Sequence, residues 1–252
     1  MSGYSRIAIV TGATSGIGEA TARKFIAAGF GVIGNGRNAA RLVELECELG
    51  SAFRGVAGDA GSAAVVDELF AASLRHFEEP ATIVVANAGR GLNGSVKDAD
   101  LSQLEELLRT NVTGVTLLLQ RAARELVPLQ EKAFPGSAAD IVVLGSVVGR
   151  NISPFGAVYS ASKFAVHGLT EALRREIGPK GVRVSLVEPG IVVSGFQAAA
   201  GYGEETTKLF NDRFGPLLYG AEIADAIHFV VAQPPHVHVS DIVVRPTRQD
   251  YP

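Results

Sequence analysis

Short apolar runs alternate along the chain with longer stretches in which apolar residues recur every three or four positions. The runs predict β-strands at Arg6–Val10, Gly31–Gly34, Phe53–Val56, Thr82–Ala86, Ile141–Leu144, Val182–Val187 and Asp241–Arg245. The stretches between them predict helices at Gly16–Ala28, Ala39–Leu49, Ala63–Phe77, Leu101–Val127, Tyr159–Ile177 and Glu222–Ala232. Most strand runs lack polar alternation, which is typical of a parallel sheet covered on both faces. The pattern predicts a single α/β domain over residues 1–252, built on a doubly wound parallel sheet of about seven strands.

One stretch, Ile191–Gly220, interrupts this alternation. It carries Gly195, Gly201, Gly203 and Gly215 and has no continuous apolar period. Long irregular stretches inside compact domains are usually functional, and many close over a bound substrate. We therefore expect a substrate lid at residues 191–220.

Composition and charge indicate which kinds of molecule the protein can bind and in which compartment it works. With 252 residues, 47% of them hydrophobic, the chain can bury a sizeable core in one domain. The net charge of −3 comes from 23 basic and 26 acidic residues without a basic block, which argues against nucleic acid as a partner. Neither a signal peptide nor a run of membrane-spanning length is present. The single cysteine, Cys47, fits a reducing compartment, so we expect a cytoplasmic protein without a membrane partner.

The histidines do not indicate a metal site. His236 and His238 alternate on an extended segment, in the manner of a solvated edge. No cysteine lies close to them in sequence to complete a ligand set. We expect no bound metal.

A glycine-rich turn joins the first predicted strand to the first predicted helix. It spans Thr11–Gly18 and contains Gly12, Gly16 and Gly18. Glycines in such a turn let the backbone approach a pyrophosphate, which the N–H groups and the dipole of the following helix then bind. The order of strand, turn and helix predicts a dinucleotide site in a Rossmann-like fold.

The residues that follow the second strand indicate which dinucleotide binds. An acidic residue there would hydrogen-bond the adenosine ribose, but the chain has Gly36, Arg37 and Asn38. Gly36 leaves room, and the Arg37 guanidinium suits a 2′-phosphate, so we expect NADP. The alternative is that Arg37 is a solvated loop arginine. Arg37 is the one basic residue in these two segments, since the glycine turn carries Ser15 and no cation, so we expect the preference to be moderate.

Tyr159 and Lys163 lie four residues apart on a predicted helix and therefore share one face. An ammonium close to a phenol favours phenolate and lowers the phenol pKa, so the pair can act as acid or base toward an alcohol or carbonyl. Ser146 follows a strand, at a place suited to holding a substrate oxygen. The alternative is a half-buried tyrosine beside a solvated lysine. Asn111 lies mid-helix, where it either binds water, marks a kink or has no function.

In combination and order, these residues resemble the short-chain dehydrogenase/reductase family over nearly the whole chain. The resemblance is carried by Thr11–Gly18, Asp59, Asn87-Ala88-Gly89, Asn111, Ser146, Tyr159, Lys163 and Pro189-Gly190. It implies that Tyr159 is the catalytic acid/base, that Ser146 orients the carbonyl, and that Lys163 lowers the Tyr159 pKa and binds the nicotinamide ribose. It also implies that Asn111 holds a water linking Lys163 to solvent.

The resemblance further implies a cofactor site and an assembly. The residues expected to bind NADP are Gly12, Ser15, Gly16, Ile17, Gly18, Arg37, Asn38, Asp59, Ala60, Asn87, Ala88, Gly89, Tyr159, Lys163, Pro189, Gly190 and Val192. Members of the family commonly pair their long helices between subunits. We therefore expect a homo-oligomer, either a dimer or a tetramer.

The substrate is left open between two classes. Segments such as Val32-Ile33-Gly34 and Gly36-Arg37 resemble the serine and 3-hydroxy-acid dehydrogenases, and the ending Val243–Thr247 resembles the reductases of clavulanate aldehyde. The leading interpretation is an NADP(H)-dependent oxidoreductase that interconverts an alcohol and a ketone or aldehyde. The alternative is a 3-hydroxy acid dehydrogenase, which would want a cation from Arg90 or Arg150 near the tyrosine.

A different class of function is also open. A nucleotide-sensing protein can keep this fold without turnover. Intact Ser146, Tyr159 and Lys163 argue against that reading, because a protein without catalysis could lose any of them at no cost.

Overall fold

A seven-stranded sheet organises the chain, and all of its strand pairs are parallel. The computed structural model describes residues 3–153, 155–196, 200 and 204–252. The strands are β1 (Ile7–Val10), β2 (Gly31–Gly36), β3 (Phe53–Ala57), β4 (Ile83–Ala86), β5 (Ala139–Leu144), β6 (Val182–Pro189) and β7 (Asp241–Val244), in the order β3-β2-β1-β4-β5-β6-β7. This confirms the predicted α/β, doubly wound sheet.

Helices cover both faces of the sheet. They are α1 (Gly16–Ala27), α2 (Ala39–Leu49), α3 (Ala63–Phe77), α4 (Leu104–Leu108), α5 (Val115–Ala133), α6 (Ala157–Ile177), α7 (Glu204–Phe214) and α8 (Gly220–Val231). Within the described residues, none of them has the length and apolarity needed to cross a membrane. The predicted helix and strand boundaries agree with these to within a few residues, apart from the two regions treated next.

The stretch Ile191–Gly220 is more regular than the sequence predicted, because α7 lies within it. This helix reads EETTKLFNDRF, and three scattered apolar residues give no clear helical period. The prediction of an irregular stretch was wrong there. Part of the predicted lid, residues 197–199 and 201–203, lies outside the described residues. Closure of the stretch over a substrate stays a prediction.

The long helical stretch predicted at Leu101–Val127 is divided by a π-helical segment, Arg109–Gly114, between α4 and α5. A kink at Asn111 was one of the alternatives that the sequence left open, and the π-helical segment contains this residue. Such segments are frequent at functional sites, because the wider turn redirects the side chains on it. Here it carries Asn111, which is 1% exposed, into the protein interior.

Alternate residues of each central strand enter two different cores. Ile7 and Ile9 pack with α3, α5 and α6, whereas Ala8 and Val10 pack with α1, α2 and α8. Both faces of the strand are therefore buried against helices, which explains why its sequence lacks polar alternation. The edge of the sheet formed by the strand carboxyl ends is where the candidate site lies.

A buried charge cluster lies near the opposite, amino-terminal ends of the strands. Asp140 in β5 pairs with Arg183, its neighbour in β6, through Nε–Oδ1 and Nη2–Oδ2 hydrogen bonds of 2.7 and 2.9 Å. Arg6 places Nη2 2.7 Å from Asp140 Oδ2. Asp140 is 1% exposed, and Arg183 also donates to four main-chain carbonyls. The cluster ties the strands to the segment after α8.

Candidate active site

A cleft of about 910 Å³ opens at the carboxyl ends of the strands. The chain leaves β1 toward one side of the sheet and β4 toward the other, and open α/β sheets bind their ligands at this reversal. Most of the residues predicted to bind cofactor or substrate line it: Gly12, Ser15, Gly16, Ile17, Arg37, Asp59, Ala60, Asn87, Ala88, Gly89, Ser146, Tyr159, Lys163, Pro189, Gly190 and Val192. The volume is in the range for small-molecule sites.

Gly18, Asn38 and Asn111 are the predicted site residues that do not line the cleft as the structure describes it. The Asn38 side chain instead caps α2, where Oδ1 accepts the Arg41 N–H at 3.0 Å. Gly18 lies in the first turn of α1, against the Gly12 carbonyl. The Asn38 side chain is engaged with the helix, and a contact between Asn38 and the cofactor stays a prediction.

The glycine turn after β1 is shaped for close approach. Gly12 and Gly16 have φ values of +68° and +55°, which L side chains rarely adopt. A Cβ on Gly18 would lie 2.1 Å from the Gly12 carbonyl oxygen, so the first turn of α1 packs directly on the loop. Ser15 precedes α1 with an extended backbone, and its hydroxyl does not cap the helix. Main-chain N–H groups and a hydroxyl thus face the cleft, which is the donor set that a pyrophosphate requires.

Thr11 joins this turn to the loop after β4. Its Oγ1 accepts the main-chain N–H groups of Asn87 and Ala88, both at 3.0 Å. The Asn87 Nδ2 donates back to the Thr11 carbonyl at 2.8 Å. The two loops that border the reversal point are therefore held as one unit.

The end of β2 is more crowded than the sequence predicted. A Cβ on Gly36 would lie 2.4 Å from Thr14 Cγ2, so the Thr14 side chain fills the room that the missing side chain was expected to leave. Arg37 points across the cleft, where Nη1 donates to Glu106 Oε1 at 2.9 Å. The Arg37 side chain is 72% exposed.

Glu106 also pairs with Arg90, one of the two cations predicted to serve a substrate carboxylate. Hydrogen bonds from Arg90 and then from Arg37 lower the pKa of Glu106. Arg90 Nη2 donates further to Gln103 Oε1 at 2.8 Å. Arg90 therefore pairs with groups of α4 and of the turn before it, and it shares Glu106 with Arg37.

Tyr159 and Lys163 face the cleft from one side of α6. The Lys163 Nζ lies 5.9 Å from the centre of the Tyr159 ring and donates to the Leu144 carbonyl at 2.6 Å. Lys163 is only 7% exposed, and this burial lowers its pKa to about 8. Near neutral pH it still carries its charge, beside the phenol.

Ser146 begins the turn that follows β5. Its Oγ accepts the Val148 N–H at 3.3 Å, which leaves the hydroxyl hydrogen available for donation. Asn111 lies behind the cleft. Its Nδ2 donates to Ser162 Oγ at 3.0 Å and to the Arg90 carbonyl at 2.9 Å, so it links α6 to the loop after β4.

Sequence reasoning missed His167 and Glu188 beneath the Ser146 turn and assigned their neighbour Arg150 to the substrate. His167 contacts this turn, Glu188 is fully buried behind it, and Arg150 holds Glu188 by two hydrogen bonds. Arg150 also pairs with Asp241, so it is not directed at Tyr159 as predicted for a substrate carboxylate. His167 follows Lys163 by one helical turn, and that spacing was the signal in the sequence.

The Tyr159 end of the cleft is walled by apolar side chains. These are Val148, Phe155, Phe196, Leu209, Phe210, Phe214 and Tyr251. The Phe196 ring packs on the Tyr159 ring with 5.5 Å between centroids. Arg213 is a cation at this end; its guanidinium pairs with Asp250 at 3.3 Å, and both side chains are more than half exposed.

The chain matches known proteins over most of its length. The sequence model of the short chain dehydrogenase family matches residues 6–205. A serine 3-dehydrogenase of Rhizobium radiobacter is 32% identical over 247 residues, which cover 96% of this chain and 94% of that protein.

Solved structures agree with this likeness. The closed form of a serine dehydrogenase complexed with NADP+ has a TM-score of 0.83 and 29% identity, over 97% of this chain and 96% of that one. A 3-ketoacyl-(acyl-carrier-protein) reductase of Brucella melitensis complexed with NADH has a TM-score of 0.85 and 28% identity, over 97% and 98% of the two chains.

The chain belongs to the short-chain dehydrogenase family of oxidoreductases. The resemblance inferred from the sequence, including the likeness to serine dehydrogenases, is confirmed. Neighbours that bind NADP+ or NADH also support a nicotinamide dinucleotide as the cofactor.

Proposed function

We propose that the protein is an NADP(H)-dependent oxidoreductase that interconverts an alcohol and a ketone or aldehyde. The observation that carries the proposal is the shared cleft, in which Ser146, Tyr159 and Lys163 stand at one end and the glycine turn and Arg37 at the other. A bound nicotinamide dinucleotide supplies or accepts the hydride. The test is consumption of NADPH by the purified protein with a panel of aldehydes, ketones and 3-keto acids.

The chain's own residues handle the oxygen and its proton. In the reducing direction the Tyr159 hydroxyl donates its proton to the substrate oxygen. The Lys163 ammonium, held against the Leu144 carbonyl, stabilises the phenolate that remains. The Ser146 hydroxyl, whose oxygen accepts from Val148, donates its hydrogen to the same substrate oxygen and orients it. Asn111 fixes α6 against the loop after β4.

The proposed preference for NADP depends on whether Arg37 binds Glu106 or the 2′-phosphate of the cofactor. In the free protein Arg37 pairs with Glu106 at an exposed site. Exposed ion pairs contribute about 0–1 kcal/mol. A charge-assisted contact with a phosphate contributes roughly 1.5–3 kcal/mol. The 2′-phosphate therefore displaces Glu106 at little cost, and we infer that Arg37 binds it.

Arg37→Ala is expected to weaken NADP binding about ten- to a hundredfold, because it removes the contact with the 2′-phosphate. The affinity for NAD, which lacks this phosphate, should not change. The measurement is kcat/KM with each cofactor. Arg54→Ala, which removes an arginine of similar exposure that pairs with Glu46, is the matched control and should leave the ratio unchanged. An unaltered ratio in Arg37→Ala would mean that the phosphate is bound elsewhere.

The walls of the cleft favour a substrate with an uncharged, apolar body. The side chains around Tyr159 are mostly aromatic or aliphatic. The cations predicted for a substrate carboxylate, Arg90 and Arg150, are both paired with protein carboxylates. Releasing either would leave an acidic partner behind. A ketone or aldehyde therefore fits better than a 3-hydroxy acid.

A 3-hydroxy acid is the second candidate, supported by the serine 3-dehydrogenase relative and by Arg213 at the apolar end. The Arg213–Asp250 pair is exposed and weak, so a substrate carboxylate can replace Asp250. If so, Arg213→Gln should lower kcat/KM for 3-hydroxy acids about tenfold or more and leave neutral alcohols unaffected. Arg248→Gln, which lies outside the cleft lining, is the control. Equal kcat/KM for the acids in both variants would remove this candidate.

Exposed apolar residues on α4, α5 and α6 support a homo-oligomer. Leu108, Leu129 and Phe164 are each 40% or more exposed on α4, α5 and α6. A two-fold pairing of these helices would bury them in a dimer, and a second pairing would give a tetramer. Light scattering at micromolar concentration should report two or four chains. A monomer at that concentration would contradict the proposed assembly.

A further inference from the structure

His167 lies beneath the Ser146 turn and on the same helix as Tyr159 and Lys163. Its Nε2 is 3.3 Å from the Ser146 main-chain nitrogen, so the ring accepts that N–H. The side chain is 12% exposed. One residue of α6 thus holds the main chain of the serine that faces Tyr159 across the cleft.

The glycines on either side of Ser146 show how closely the turn rests on this ring. A Cβ on Gly145 or on Gly149 would lie 2.4 Å from atoms of the His167 ring. Any other residue at either position would push the turn and the ring apart. The imidazole ring therefore determines how closely the Ser146 turn can approach α6.

Charged groups surround the ring and fix its state. Its Nδ1 lies 3.8 Å from Glu188 Oε2, and Arg150 Nε donates to both oxygens of Glu188 at 2.8 and 2.6 Å. Burial, followed by the charges of Lys163 and Arg150, lowers the pKa of His167 to about 4, against a raising effect of Asp241. At neutral pH the ring is uncharged, with a lone pair on Nε2 for the Ser146 N–H and its hydrogen on Nδ1 facing Glu188.

We propose that His167 is a positioning residue that places Ser146 for catalysis, with its ring beside the buried Glu188 that Arg150 pairs. The proposal rests on the proposed function, because the Ser146 hydroxyl is the group assigned to the substrate oxygen. Glu188 immediately precedes Pro189-Gly190 of the cleft lining. The Ser146–His167 contact therefore joins the turn after β5 to the catalytic helix, next to the end of β6.

The test compares two replacements of His167. His167→Leu removes the acceptor, and a displacement of about 1 Å at a catalytic group can cost about a hundredfold in rate. We expect kcat to fall roughly ten- to a hundredfold with little change in NADP affinity. His167→Gln keeps an acceptor near the Nε2 position and should recover most of kcat. His238→Leu is the matched control, since His238 is also partly buried and bonds a main-chain oxygen, Val184 O, outside the cleft lining. It should keep the native kcat.

Two further readouts separate positioning from a general structural effect. In a Ser146→Ala background, His167→Leu should cost no further activity, because both changes act through one hydroxyl. Hydrogen exchange at the Ser146 amide should be faster in His167→Leu and native-like in His167→Gln.

Native kcat in His167→Leu, fully additive losses, or unchanged exchange would each overturn the proposal. The exchange measurement does not need turnover. A native protein that reduces no carbonyl therefore counts against the proposed function, while the exchange result still decides the contact with Ser146.

Discussion

Tyr159→Phe is expected to lower turnover at least about a hundredfold, the low end of general acid–base contributions. The change keeps the ring that packs on Phe196 and removes only the proton that the substrate oxygen needs. NADPH binding should persist, because Lys163 and the glycine turn are untouched. The measurement is kcat with the best carbonyl substrate of the panel, alongside the NADPH dissociation constant.

Phe155→Leu is the matched control for Tyr159→Phe. Phe155 lines the same end of the cleft, is 73% exposed and carries no proton to transfer. Its replacement should alter KM more than kcat. A folded, NADPH-binding Tyr159→Phe protein with near-native turnover would remove Tyr159 from the mechanism.

Asp140→Asn is expected to lower the free energy of unfolding by about 3–5 kcal/mol, because it leaves two guanidinium groups without their buried counter-charge. Arg183 and Arg6 both pair with this carboxylate, and Arg183 is only 4% exposed. For a chain of this size, about 1 kcal/mol corresponds to roughly 2–4 °C in the melting temperature. Thermal unfolding should therefore occur roughly 6–20 °C lower.

Glu131→Gln is the control for that loss. It removes an exposed partner of Lys180, and exposed pairs contribute about 0–1 kcal/mol. Since Asp140 lies at the sheet edge opposite the cleft, kcat of the folded Asp140→Asn protein should stay native. Equal melting temperatures for the two variants would mean that main-chain contacts, rather than the carboxylate, hold Arg183.

The order of strands and helices could be predicted because each central strand is buried on both faces and so leaves an uninterrupted apolar run. Ile141–Leu144 reads as such a run, and alternate residues of β5 enter opposite cores. α7 was missed for the converse reason. It carries few apolar residues, so its sequence has no helical period to detect.

The cleft residues that could be predicted are those that local motifs carry. The glycine turn, Asn87-Ala88-Gly89 and the Tyr159–Lys163 pair each lie within a few residues of sequence at the end of a strand or on a helix face. The topology then brings the strand ends to one edge.

The contacts that modify those motifs could not be predicted, because they join residues far apart in sequence. Glu106 meets Arg37 across 69 residues. Thr14 fills the space beside Gly36 from another loop. Glu188 pairs with Arg150 across 38 residues. Arg150, which was expected to bind a substrate carboxylate, therefore has a structural contact instead. Local sequence patterns do not show which distant residues will be in contact.

Hydride transfer in this cleft is tested most directly by following an isotope. The protein is incubated with a ketone or aldehyde from the panel and with NADPH that carries deuterium at both C4 positions, and the alcohol is analysed by mass spectrometry. The account predicts one deuterium on the carbinol carbon of each product molecule, with NADPH consumed in equal amount. A Tyr159→Phe reaction of the same duration should form at least about a hundredfold less labelled alcohol. An alcohol without deuterium, or no NADPH consumption with any carbonyl compound, would contradict it.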